Sequence, residues 1–68
     1  SQDITIRAKQ LEQGGVKPLD ALHVASAEQA GATYFCSCDD RLVKKLRALT
    51  MVNVSIVTPL ELIQELLK

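Results

Sequence analysis

Ala32-Thr33-Tyr34-Phe35-Cys36-Ser37-Cys38-Asp39-Asp40-Arg41-Leu42 is the stretch that decides how this chain folds. Its first residues, 32–36, form a nearly continuous apolar run carrying Tyr34 and Phe35. That is the pattern of a strand covered on both faces, as in a parallel sheet. The strand runs out through Ser37 into a helix start with a carboxylate, Asp39 or Asp40, in the cap position. The helix continues to about Leu49, because Leu42, Val43, Leu46 and Leu49 make one apolar stripe. A second strand follows over residues 51–57, with Val52, Val54 and Ile56 in alternation. Strand, helix, strand in that order predicts two parallel strands joined by a right-handed crossover.

Reading backwards, Gly31 closes a helix over residues 18–30 that opens at Pro18, where a missing N–H costs nothing. Leu19, Leu22 and Ser26 share one side of it. Ala21, Ala25 and Ala27 make it thin enough to approach a sheet closely. A first helix spans residues 3–13, striped by Ile4, Ala8 and Leu11 and ended by Gly14-Gly15. At the other end, Thr58-Pro59-Leu60-Glu61 is a capping box opening a last helix with Leu60, Ile63, Leu66 and Leu67. The class is therefore α/β, with four helices and about two strands.

With 68 residues the chain is one small domain, able to bury only about 60% of its unfolded surface. A buried-type strand with an open edge needs a neighbour, so the short sheet predicts a missing strand or a second chain, and hence a homo-oligomer. Eight acids balance eight bases, so global charge steers the chain neither to nucleic acid nor to anionic membrane. No apolar stretch approaches the length of a membrane span. No signal peptide is expected from these residues, and Ser1 in place of Met suggests a processed, tagged or excised N-terminus. Two cysteines in a loop-poor chain point to a reducing cytoplasm.

Two acids stand out as candidates for chemistry. The helix from Pro18 rises about 18–20 Å at about 1.5 Å per residue. The strand then returns about 16–17 Å at about 3.3 Å per residue. The legs nearly cancel, so Asp20 and Asp39 should finish at the same end of the fold. Carboxylates converging at a strand's carboxyl end, beside helix N-termini, suit a divalent-metal phosphoryl-transfer site.

Asp20-Ala21-Leu22-His23-Val24-Ala25-Ser26-Ala27 and Ser37-Cys38-Asp39 also resemble the second half of a PIN domain, the fold of many toxin-type metal-dependent endoribonucleases. The family writes these stretches roughly as D-A-L-H-L-A-x-A and as [ST]-x-D just after a strand. The resemblance implies a PIN-like three-layer α/β/α fold with a parallel sheet, of which this chain is the C-terminal half. It implies Asp20 and Asp39 as catalytic and metal-binding acids, with Mg²⁺ or Mn²⁺ as cofactor. It also implies RNA as substrate and an antitoxin protein as a possible partner. No strand ending in Asp and no early helical Glu corresponds to the family's first half. A non-catalytic oligomerisation or partner-binding role is therefore the competing reading.

Around those two acids, Asp40 is a further metal-side acid, in the outer shell. Ser37 either hydrogen-bonds a metal-bound water or satisfies local backbone. Arg41, nearest the acids, is placed to contact phosphate, while Lys44, Lys45 and Arg47 read as a solvated face near a helix C-terminus. His23 reads as a partly buried packing residue, and Cys36 and Cys38 as buried small hydrophobes rather than zinc ligands. A phosphoacceptor module would need a Lys at the end of the second strand, where Val57-Thr58-Pro59 stands instead.

Overall fold

The computed structural model describes residues 2–68. Helix α1 (Gln2–Gln13) and helix α2 (Pro18–Gln29) form a hairpin. Strand β1 (Tyr34–Cys36), helix α3 (Asp40–Ala48), strand β2 (Ser55–Val57) and helix α4 (Pro59–Leu66) follow. β1 and β2 pair in parallel, with Tyr34 opposite Ser55, Phe35 opposite Ile56 and Cys36 opposite Val57. Hydrogen bonds from Ser55 N to Thr33 O and from Ser37 N to Val57 O, both 3.0 Å, extend the ladder at its two ends. The strands are shorter than the apolar runs that predict them, because the pairing is confined to these few positions. The result is a small, partial α/β fold of the expected class.

Each helix is bounded by the chemistry of its termini. α1 ends where Gly15 takes a φ of +97°, a left-handed conformation cheap only for glycine. There Val16 N donates to Leu11 O at 3.1 Å and turns the chain back under α1. Gly31, at φ +72°, closes α2 in the same way. Thr58 and Glu61 complete the predicted capping box of α4, the Thr58 side chain accepting from Glu61 N while Glu61 accepts from Thr58 N. This exchange, led by the Thr58 N–H and seconded by Arg47, holds the Glu61 carboxyl below its ordinary range.

The core lies between the hairpin and the β1–α3–β2 unit. Leu11, Val24 and Leu46 are its largest fully buried side chains. Ala8, Ala21, Ala25, Val43, Val54 and Ile56 pack around them. The stripes of α1 and α3 are therefore as read from the sequence, and on α2 it is the alanine side that is buried. Its buried face is Ala21, Val24 and Ala25, whereas Leu19 and Leu22 are 64% and 44% exposed and Ser26 lies outside. Small side chains win the inner face because they let the α1 and α2 backbones approach closely. His23 and the two cysteines are exposed rather than buried. His23 stands beside Leu22 on the outer face of α2. Cys36 lies at the end of β1 and Cys38 at the bend beyond it. On α4, Leu60, Ile63, Leu66 and Leu67 are all more than half exposed.

One partly buried ion pair ties the hairpin to the rest. Arg7 Nε and Nη2 donate to the two oxygens of Glu28 at 2.8 and 2.9 Å, a bidentate fork. Glu28 Oε2 also accepts from Asn53 N at 2.8 Å, and Arg7 reaches the Met51 carbonyl. Arg7, and secondarily the Asn53 N–H, hold the Glu28 carboxyl below its ordinary range against the opposing effect of burial. A carboxyl lowered on folding stabilises the fold above its unfolded value, near 4.3, and loses that contribution as pH falls through the folded value. Glu28→Gln should cost about 1–3 kcal/mol at neutral pH, the scale of hydrogen bonds to a charged group. Urea melts should show its difference from the parent chain narrowing on acidification below about pH 4. An unchanged difference at low pH would assign the loss to packing.

Candidate functional site

Asp20 and Asp39 do finish at the same end of the molecule. Both line one open cleft of about 210 Å³, between the start of α2, the start of α3 and the α1–α2 turn. Asp20 sits in the first turn of α2, where an acid complements the positive end of the helix. Its approach is set by Lys17 in extended conformation and by Pro18 at the first helical position.

Asp39 is the N-cap of α3. Its Oδ1 accepts from Arg41 N at 3.0 Å and from Leu42 N at 3.2 Å. Oδ2 makes no hydrogen bond with another described residue. Ser37 supports this arrangement from behind, its Oγ accepting the Asp39 N–H at 3.1 Å. The backbone-satisfying role of Ser37 is thus the one the structure displays, and it orients the aspartate in doing so.

Asp40 is exposed in the first turn of α3 and does not line the cleft, whereas Arg41 does. Two further bases line it, Lys17 and Lys45, the latter from the helix face expected to be solvated. A signal for each exists. Lys45 lies four residues after Arg41 and so on the same helical face. Lys17 immediately precedes the proline that starts the helix of Asp20. Arg47 is also more than a solvated base, since its Nε and Nη2 donate to Ile56 O at 3.2 and 3.0 Å and it pairs with Glu61. It pins α3 to β2 and α4, away from the cleft.

As a donor set for a hard divalent cation, the two aspartates fit in kind and fall short in number. Carboxylate oxygens suit Mg²⁺ and Mn²⁺. Among the described residues, however, no group of three or more acids, histidines and cysteines comes together to hold a metal.

The chain belongs to the PIN domain family, whose model matches residues 1–49, a span that contains Asp20, Asp39 and the whole cleft. That places it with PIN-like nucleases, proteins that are generally metal-dependent. No curated protein and no solved structure matches the chain. No helix among the described residues is long and apolar enough to cross a membrane.

Asp39 joins a structural duty to its place in the cleft, and two substitutions separate them. Asparagine caps a helix as well as aspartate does, while alanine does not. Asp39→Ala should lower stability by about 1 kcal/mol, and Asp39→Asn should leave it within a few tenths. Thermal melts of the two variants check this.

Proposed function

We propose that this chain is the C-terminal part of a Mg²⁺- or Mn²⁺-dependent endoribonuclease acting on RNA phosphodiester bonds. The observation that supports the reading most is the meeting of Asp20 and Asp39 in one cleft, from two elements remote in sequence. Asp20 and Asp39 would be the metal-holding acids of this half, with Asp40 acting through water at the edge. Further carboxylates would come from outside the described elements. When bound, the ion would supply an activated water and stabilise the charge developing on the phosphodiester.

The chain's own residues do the rest. The two α3 amides fix the Asp39 carboxylate and Ser37 holds its backbone N–H, which cuts the entropy lost in holding a ligand. Arg41 offers a guanidinium to a neighbouring phosphate oxygen. Because Cys36 and Cys38 are free thiols, a reducing cytoplasm is the compartment that suits the chain.

Two aspartates compete poorly with the hydration shell of Mg²⁺, so metal binding by this chain should be weak. In a Mn²⁺ titration followed by NMR, paramagnetic broadening should concentrate at Asp20 and Asp39 and vanish in Asp39→Asn. Even broadening over all surface acids would count against the site. RNA cleavage by the chain alone should be absent or slight. Strong Mn²⁺-dependent cleavage, abolished by Asp39→Asn, would show that copies of the chain complete one another's sites.

A second reading, association through uncovered apolar surface, is favoured by the exposed leucines of α4 and α2. Leu60, Leu66 and Leu67 are 65%, 71% and 80% exposed, beyond what an isolated surface leucine would represent. A second copy of the chain, or an antitoxin-type protein, would cover them. Sedimentation equilibrium at micromolar concentration should show a dimer or higher oligomer. A concentration-independent monomer would remove this reading.

A further inference from the structure

The cleft that holds Asp20 and Asp39 also gathers three bases, Lys17, Arg41 and Lys45. The chain as a whole has no net charge, so the cleft carries a local excess of positive charge around its two acids. One of the bases is held in place. Lys45 belongs to α3, yet its Nζ donates to the carbonyl oxygen of Gly15, in the turn between α1 and α2, at 3.1 Å. A Cβ at position 15 would stand 3.2 Å from that Nζ. Glycine there both permits the left-handed turn and leaves room for the ammonium. The carbonyl takes one of the three donors of Lys45, and two remain for a ligand. Lys44, its neighbour on α3, is exposed and lies outside the cleft lining.

We propose that Lys17, Arg41 and Lys45 seat the phosphate backbone of an RNA strand across the Asp20–Asp39 cleft, with Lys45 as the pre-positioned contact. The proposal rests on the nuclease reading above and adds the residues that hold the strand. Two acids alone would repel a polyanion, and three bases on the same rim reverse the sign of the cleft. Ammonium and guanidinium groups bind phosphate oxygens without reading bases, so the seat fixes where the backbone lies and not which sequence occupies it. Tethering Lys45 to Gly15 immobilises a long side chain before the ligand arrives, which lowers the entropy lost on binding.

The test uses the full chain and a fluorescein-labelled, unstructured RNA oligonucleotide, with anisotropy read between 50 and 200 mM KCl in EDTA. Chelation keeps the readout independent of the metal. Three phosphate contacts on a single strand predict that the parent chain loses affinity about 20-fold over that range. Lys45→Met should lose only about 7-fold, a log–log slope shallower by about 0.7. Lys45→Arg and the off-cleft control Lys44→Met should keep the parent slope. The proposal is overturned if Lys45→Met keeps the parent slope, if Lys44→Met flattens it equally, or if the parent chain shows no salt-dependent binding. A melting-temperature change in Lys45→Met with no change of slope would make the tether structural only, and also overturns it. Mn²⁺ broadening at Asp20 and Asp39 reports separately on the metal reading. Localised broadening with an unchanged slope sinks the seat alone, and a flattened slope with diffuse broadening sinks the metal site alone.

Discussion

The close approach of α1 and α2 across small side chains is the constraint on which the rest of this structure depends. Ala8 on one helix and Ala21 and Ala25 on the other leave little between the backbones, with Leu11 and Val24 filling what remains. That contact fixes both ends of α2. Its N-terminal end carries Asp20 into the cleft, and its C-terminal end carries Glu28 to Arg7 and to the Asn53 amide. The Arg7–Glu28 pair and the Glu28 bond to Asn53 N join α1, α2 and the approach to β2. A larger residue at Ala21 or Ala25 would push the helices apart and disturb the core and the site together.

Asp39 shows how economically the site is assembled. One carboxylate oxygen closes the first turn of α3, and the other makes no hydrogen bond with another described residue. Ser37 holds the same residue by its backbone. The side chain is therefore locked by requirements of the fold before any ligand is present, which is how a weak donor set can still have a defined geometry. Lys45 repeats the logic within the same cleft, where a carbonyl of a glycine turn fixes an ammonium.

The uncovered surface belongs to the same account. β1 is only partly covered, and α4 turns its apolar stripe outward. A complete α/β layer would bury both, and the sheet among the described residues has two parallel strands.

Much was legible in the sequence because it is set locally. Gly14-Gly15, Gly31, Pro18 and the Thr58–Glu61 box mark helix ends through backbone conformation and capping, which neighbours in the chain decide. The stripes of α1 and α3 follow from periodicity, and the return of Asp20 and Asp39 to one end follows from the lengths of the segments between them. Tertiary structure alone decided the rest. Which face of α2 is buried depended on what α1 could accommodate, so alanines rather than leucines line the core and His23 came to the surface. Cys36 and Cys38 are exposed because coverage of a strand depends on what packs over it, which an apolar run does not specify. Lys45 lines the cleft, and Arg47, still half exposed, bonds β2 and α4, because a long side chain finds its partner across space. Hydrogen bonds such as Lys45 to Gly15 join residues that only the folded chain brings within reach.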